Sequence, residues 1–208
     1  AIAYTNEITI AGTTTIKTRS RSGDVWSALH EATFTVSPSN MIRITEIMYH
    51  PAPNGDNEYI ELKNIGTNSI NLTGWHFTAG ITNGFTNGPV LSPGQFAVVV
   101  KDVALFTNRY TNVVVAGVFE GGTSLNNGGE LLRLADSNGQ EAAAVEYSDS
   151  SSWPQDADGS GYSLTIINPT AEANTSVNWR ASAWLGGSPG AGDVFRKDLG
   201  NSRPSTSD

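Results

Sequence analysis

The sequence predicts an all-β chain made of short strands joined by tight turns. Charged residues make up 15% of the 208 residues, well below the roughly 25% of ordinary soluble domains. The 22 glycines accompany many Ser, Thr and Asn residues, and the dipeptide Asn-Gly occurs five times. Because Asn-Gly tolerates the positive φ of type I′ hairpin turns, its repetition indicates hairpins. A chain of this length buries one good core, so we expect one main β domain.

Eight short runs between these turn signals are predicted to be strands. They are Ile42–Tyr49, Tyr59–Asn64, Trp75–Thr78, Phe96–Val100, Val113–Val118, Leu131–Ala135, Ala142–Tyr147 and Tyr162–Ile167. Their short links predict antiparallel pairing, and strands at this spacing are typical of a sandwich or a barrel. The apolar run Ala97–Val100 fits a central strand, and only Val103–Tyr110, which follows it, has helical character.

Alternation of apolar and polar residues within a run indicates a strand that is buried on one face. In Tyr59–Asn64, Ile60 and Leu62 are expected to face the core. Glu61 and Lys63 alternate with them and are expected to face solvent. The pattern therefore predicts a half-buried strand.

The first predicted strand of the main domain breaks its alternation, because Ile47 directly follows Glu46. A slip of this kind predicts a β-bulge. Glu46 and Glu61 form a conceivable carboxylate pair for hydrolysis, but both have the outward phase of a solvated or salt-bridged face. The three histidines are too few and too scattered for a zinc site. The sequence therefore predicts no enzyme, and a hydrolase would need a cleft of acids that it does not reveal.

The first 37 residues are predicted to form a separate β unit. Ile8–Ile10, Thr14–Ser20 and Ala32–Val36 have the pattern of strands, with a turn at 22–24 before Trp26. Three strands bury little apolar surface alone, so their open edges predict self-association with another chain. The chain then divides into a β segment at 1–37, a linker at 38–40, a main domain at 41–190 and a tail or linker at 191–208.

Charge and composition exclude several classes of partner. The net charge is −8 and the isoelectric point is near 4.8, whereas nucleic-acid binding needs clustered Lys and Arg. No run of about 18 apolar residues occurs, so we expect no membrane insertion. The absence of cysteine excludes disulfides and thiolate metal sites. The chain opens at Ala1 without a leader-like pattern, and we interpret it as a piece of a longer protein.

A series of motifs resembles bacterial lamin-tail domains, in the same order along the chain. The motifs are Ile44–Pro51, Glu58–Asn64, Asn71–Trp75, Leu91–Gln95, Ser124–Glu130, Trp153–Pro154, Asp158–Leu164, Asn178–Trp179 and Gly187–Gly190. The resemblance covers about residues 41–190 and implies an immunoglobulin-like β-sandwich. It also implies a non-catalytic role, since the domain in nuclear lamins binds partners and catalyses nothing.

Residues 1–37 resemble the back half of a fibronectin-type or chitobiase-C-terminal-like β module. The runs that carry this likeness are Thr13–Lys17, Trp26–Ala28 and Glu31–Val36. The two resemblances together imply an accessory module of a larger secreted or cell-surface bacterial protein, serving adhesion, assembly or spacing. The expected partner is a protein or a polysaccharide at the cell surface. Two alternatives stay open: a carbohydrate-binding module of a secreted enzyme, and a subunit of an extracellular fibre.

Trp153 is the candidate ligand-binding residue. An exposed Trp beside Pro154 would stack on a sugar ring, although a long irregular loop also needs an apolar anchor. Trp75 follows a glycine and is expected to fill the core of the sandwich. Trp179 and Trp184 flank a Gly-rich stretch and are expected to pin it down.

Asp156 and Asp158 are the candidate metal ligands. Residues 156–161 match the start of an EF-hand loop, with oxygen ligands at positions 1, 3 and 5 and glycine at position 6. Position 12 holds Ile167 instead of the bidentate acid, which excludes a true EF-hand. A weaker calcium site stays open, and no other cofactor is indicated; the alternative is a tight turn with capping Asp side chains. The acids that would assist calcium are Asp149 and Glu58.

Overall fold

The computed structural model describes residues 8, 14–34, 41–52 and 57–195. Of the predicted run Ile8–Ile10 only Ile8 is described, and the predicted linker at 38–40 lies outside the described residues, as does the tail beyond residue 195. Within the described ranges, no helix is long and apolar enough to cross a membrane.

Short strands dominate the described chain. Those before residue 41 are β1 (Thr14–Thr18), β2 (Arg21–Ser22), β3 (Val25–Trp26) and β4 (His30–Phe34). The later strands are β5 (Ile42–Met48), β6 (Tyr59–Asn64), β7 (Ile70–Asn71), β8 (His76–Ala79), β9 (Val90–Leu91), β10 (Phe96–Val100), β11 (Val115–Val118), β12 (Gly129–Ala135), β13 (Glu141–Ser148), β14 (Leu164–Ile166) and β15 (Trp179–Ala181). The helix α1 is Val103–Arg109, with 3-10 turns at Gln155–Ala157 and Ser176–Asn178. Each of the eight predicted runs overlaps a strand, and the predicted helical turns are confirmed.

Two large sheets form the main domain, and β7 and β9 pair as a separate two-stranded sheet. One large sheet has six strands in the order β11-β10-β6-β5-β14-β15, and the other has three in the order β13-β12-β8. This architecture confirms the predicted all-β, immunoglobulin-like sandwich. The prediction of antiparallel pairing throughout is wrong in one place, because β10 and β11 are parallel. Their connection contains α1, and a crossover of that length lets the chain return in the same direction.

The core lies between the two sheets. Ile60 and Leu62 of β6 are fully buried, as predicted, and belong to one apolar cluster with Leu132 and Leu134 of β12. Trp75 is 4% exposed and lies in the same cluster, which confirms its predicted role. Burial of side chains of this size stabilises the fold by roughly 2 kcal/mol each, so the cluster accounts for the cohesion of the sandwich.

A second apolar cluster lies on the other face of the six-stranded sheet. Tyr59, Val98 and Val100 point away from the first cluster and pack against Phe106 of α1. The Tyr59 and Phe106 rings meet edge to face with their centroids 5.6 Å apart. Asp102 begins the helix by accepting a hydrogen bond from the Leu105 backbone N–H at 2.9 Å. The sheet is therefore covered on both faces in this region.

This double coverage overturns the predicted exposure of two acids. Glu61 is 2% exposed and Glu46 is 1% exposed, whereas both were expected on a solvated or salt-bridged face. The alternation places them correctly on the face opposite Ile60, but that face is covered by chain from the end of the domain. The β-bulge predicted at Glu46 is confirmed by a register shift between Ile44 and Glu46.

The N-terminal β segment is a hairpin whose side chains face solvent. β1 pairs antiparallel with β4, and Thr15–Thr33 and Lys17–Glu31 contacts join the strands on one face. At the tip, the guanidinium carbon of Arg19 lies 4.2 Å from the ring centroid of Trp26. Every described residue from 14 to 34 is exposed except for the half-buried Ile16. The division into a 1–37 unit and a 41–190 domain stays a prediction.

Candidate functional site

Residues 182–193, here called the closing segment, cross the outer face of the six-stranded sheet. Its far end is held by Asp193, which accepts a hydrogen bond from Arg180 at 2.6 Å and one from the Ala183 backbone N–H at 2.9 Å. The Asp193 side chain is fully buried. The ion pair therefore fixes the segment over the two acids of β5 and β6.

Glu46 is bound mainly through one oxygen. Its Oε1 accepts hydrogen bonds from the Tyr59 hydroxyl at 2.7 Å, the Ser188 backbone N–H at 2.9 Å and the Ser163 hydroxyl. Gly187 has φ +82° and lies so close that a Cβ there would collide with Tyr59 Oη and Glu46 Oε1. Only glycine therefore lets the closing segment approach this carboxylate.

Glu61 lies directly opposite Glu46 in the strand register. Its Oε1 accepts a hydrogen bond from the Thr45 hydroxyl at 2.5 Å, and its Oε2 accepts one from the Gly190 backbone N–H at 2.7 Å. Each acid is thus linked to the closing segment by at least one backbone donor.

Burial sets the protonation of the pair. Loss of solvation raises the pKa of Glu46 above its ordinary value, and this outweighs the lowering effect of the Ser163 and Tyr59 hydroxyls. Burial and then the neighbouring charge of Glu46 raise the pKa of Glu61 well above its ordinary value. Two adjacent buried carboxyls cannot both ionise cheaply, so the pair favours a protonated form. This acid pair, here called the brace, holds the closing segment through hydrogen bonds from neutral hydroxyl and amide donors.

The candidate calcium loop has a partner that the sequence did not indicate. His50 Nδ1 lies 2.6 Å from Asp158 Oδ1, while Asp156 is exposed on a 3-10 turn. Gly159 and Gly161 have φ +73° and +86°. These values are typical of a tight turn, which is the alternative to a calcium site. In the described chain, no group of three or more His, Asp or Glu side chains converges on a metal position. Calcium at this loop stays a prediction.

The proposed assistant ligand Glu58 is engaged elsewhere. It is 4% exposed, pairs with Lys101 Nζ at 2.7 Å and accepts a hydrogen bond from the Leu125 backbone N–H at 2.6 Å. Such contacts hold the loop before β12 to the start of β6. Glu58 therefore acts as a structural tie.

Trp153 belongs to the core and is not an exposed platform. It is 9% exposed, and its ring centroid lies 6.2 Å from that of Trp179. Trp179 is fixed in turn by a 2.8 Å hydrogen bond from Nε1 to the Ala173 carbonyl. Of the two alternatives for Trp153, the structure agrees with the apolar anchor of a long loop and not with an exposed ring, because the loop packs down on the sandwich. A part in ligand binding stays a prediction for the small rim that remains accessible.

Two polar grooves lie along β13, which is an edge strand of its sheet. The first, of about 400 Å³, is lined by the rim of Trp153 and by residues 128–130, 146–148 and 174–176. The second, of about 700 Å³ and here called the edge groove, is lined mainly by residues 141–144 and 170–174. Asn174 separates the grooves, since its Oδ1 accepts a hydrogen bond from the Glu146 backbone N–H at 2.9 Å.

Sequence reasoning missed the edge groove and the brace. The signal for the groove is the run Ala142–Ala144, where three small side chains interrupt a strand of otherwise larger residues. The signal for the brace is weaker, because Gly187 and Gly190 also fit a plain turn. Neither pattern says which surface it will face.

Comparison with known proteins gives the family. No curated protein matches the chain. The family model of the lamin tail domain matches residues 35–149, which is more than half of the 208 residues. That match spans strands β5 to β13 and agrees with the observed immunoglobulin-like sandwich. The chain belongs to the lamin tail domain family.

Proposed function

We propose that this chain is a non-catalytic interaction module of a larger secreted or cell-surface protein, where it serves adhesion, assembly or spacing. The lamin tail domain is a non-enzymatic, protein-interaction family of immunoglobulin-like domains. Immunoglobulin-like scaffolds carry function in the loops and edges that vary around a rigid sandwich. The grooves along β13 supply such a surface here.

The closing segment is the observation that carries this proposal. It covers Glu46 and Glu61, the acid pair best suited to hydrolysis, and occupies their oxygens with hydroxyl and amide donors. A general acid or base must reach the substrate within hydrogen-bonding distance. Carboxylates that are 1% and 2% exposed serve instead to hold the segment in place.

The test combines binding and turnover on the intact chain. The labelled chain is applied to a glycan array and to a peptide array. Unlabelled chain is incubated with chromogenic glycoside, ester and phosphate substrates. We expect saturable binding of one ligand class without turnover. Turnover that is lost in Glu46→Gln and Glu61→Gln variants of unchanged fold would contradict a non-catalytic role. Fractionation of the source cells, with an antibody to the chain, tests the extracellular placement.

A carbohydrate-binding accessory module is the second candidate. It is favoured by the first groove, where polar groups of Glu146, Asn174 and Ser176 surround the accessible rim of Trp153. Such a mix of polar groups and an aromatic edge suits a sugar. Affinity electrophoresis on common polysaccharides tests it, with Glu146→Gln expected to reduce retardation. Glu141→Gln is the matched control, since Glu141 lies on the same strand outside this groove.

A further inference from the structure

The outer edge of β13 carries backbone groups that face away from its sheet. β13 is the terminal strand in the order β13-β12-β8. The Glu146 backbone N–H donates to Asn174 Oδ1 at 2.9 Å and therefore points outward, not to Leu131, its register partner in β12. In an antiparallel ladder, residues alternate between pairs that exchange hydrogen bonds and pairs that do not.

Ala144, two residues before Glu146, must share its outward direction. Its register partner in β12 is Arg133. The Arg133 carbonyl accepts a hydrogen bond from the Thr78 hydroxyl of β8 at 3.4 Å, on the side away from β13. Two observations, one on each side of β12, thus agree that the Ala144 N–H and C=O face the edge groove.

The edge groove has the space for an added strand. Its walls are the strand side at 141–144 and the loop side at 170–174, and its volume is about 700 Å³. The side chains of Ala142, Ala143 and Ala144 project little, which leaves room for the larger side chains of an incoming strand at the usual spacing of about 4.8 Å. Edge strands with such open groups pair readily with extended chains.

The charged side chains around this groove favour a ligand of positive charge. Glu146 and Glu172 are exposed, and in the described part of the chain neither forms a salt bridge. Both line the groove beside Asn174. The Glu146 backbone N–H donates to Asn174 Oδ1, and the Asn174 backbone N–H donates to Glu172 Oε1 at 2.9 Å. Of the two arginines on the walls, Arg133 pairs with Glu141 at 2.8 Å. The other, Arg43, donates to the Pro169 carbonyl at 3.0 Å.

We propose that the edge groove binds an extended, basic peptide segment of a partner protein, which adds to β13 as a fourth strand and sets a Lys or Arg side chain against Glu146 and Glu172. This inference rests on the proposed interaction function and names its surface and its ligand. Backbone hydrogen bonds to Ala144 supply the pairing, and the two carboxylates supply the preference for a basic residue.

The backbone part is tested with fluorescent nine-residue peptides of alternating Thr and Val that carry one central Lys. We expect saturable binding to the intact chain, weakened roughly tenfold by Ala144→Pro, because proline removes the outward N–H. Edge positions tolerate proline, and melting checks that the fold is retained. As a second measurement, peptides N-methylated on alternate residues are titrated against the unchanged chain. Methylation of the residues whose N–H groups face β13 should abolish binding. Methylation of the intervening residues should leave binding intact.

The charge part is tested by replacing the central Lys with Glu and by exchanging Glu146. We expect the Glu peptide to bind at least about fivefold more weakly, and Glu146→Lys to reverse the order. Glu120→Gln, which lies outside the groove, is the matched control and should change neither peptide. Equal affinity for the two peptides overturns the basic preference.

Other outcomes separate this inference from the wider function. Equal binding of both N-methylated forms, or no peptide binding at millimolar concentration, overturns strand addition. If the glycan or peptide arrays still show a ligand, the interaction function stands and only its surface is wrong. Sedimentation that detects dimers lost in Ala144→Pro, without peptide binding, overturns the partner peptide in favour of a second copy of the chain.

Discussion

Glu46 and Glu61 lie directly opposite each other on β5 and β6, and the closing segment buries both carboxyl groups. Each side chain is hydrogen-bonded to a backbone N–H of that segment, at Ser188 and at Gly190. The pair therefore joins the centre of the largest sheet to the last described part of the chain. The protonation of the pair is therefore thermodynamically linked to the position of the closing segment.

The stability of the domain should decrease as the pH rises. Burial raises the pKa of both Glu46 and Glu61 above the ordinary value of 4.5, so the folded state holds protons that the unfolded state releases. Their stabilisation is complete below about pH 4.5 and is lost as the pH rises through the raised pKa values. Urea unfolding between pH 5 and pH 9 should show a fall of up to roughly 1.4 kcal/mol per pH unit for each group in its titration range.

A Glu46→Gln variant should flatten this pH dependence. The amide oxygen can still accept the hydrogen bonds made to Oε1. The substitution removes one titrating group and also removes the charge that raises the pKa of Glu61. Glu141→Gln changes an exposed acid of β13 and is the control. Slopes that are identical in all three proteins would show that the pair does not govern the profile.

Gly187→Ala should destabilise the domain by more than about 3 kcal/mol, because a Cβ meets Tyr59 and Glu46 and φ is +82°. The matched control is Gly139→Ala, where φ is +78° but no atom lies within 4 Å of the added Cβ. Its cost should be only the roughly 1 kcal/mol of the left-handed backbone. Chemical unfolding measures both, and equal costs would refute the close contact.

Trp153→Ala should cost about 3–5 kcal/mol in unfolding free energy, because it empties the space beside Trp179. Trp26→Ala removes an equally large side chain that is 40% exposed on the N-terminal hairpin. We expect no change in the main unfolding transition from this second variant. A neutral Trp153→Ala would show that the loop after β13 is not anchored as described.

Calcium binding at Asp156 and Asp158 is tested by melting in excess EDTA and in 10 mM calcium. The Asp158 carboxylate is already engaged by His50, so we expect at most weak binding. A Kd near 1 mM would raise the unfolding free energy by about 1.4 kcal/mol, and Asp156→Asn would remove that gain. Identical curves in both solutions dismiss the site.

Much of the fold follows from local pattern. Turn dipeptides and period-two alternation located the eight main strands, the bulge at Glu46 and the buried faces of Ile60 and Leu62. The strands β2, β3, β7, β9 and β15 were missed, because two or three residues are too few to show a period. The candidate site was less accessible, since Trp153, Asp158 and Glu61 acquire their partners from distant parts of the chain.

By itself, the sequence determined an all-β fold of short strands, because alternation and turn chemistry are local properties of the sequence. The lamin-tail type followed from the resemblance of its ordered motifs to that family. Only the tertiary structure decided what each face meets. The same alternation that directed Glu61 away from the core could not show that residues more than a hundred positions later would cover it. The direction of the Ala144 backbone likewise depends on which strand pairs with which, and long-range pairing leaves no local trace in the sequence.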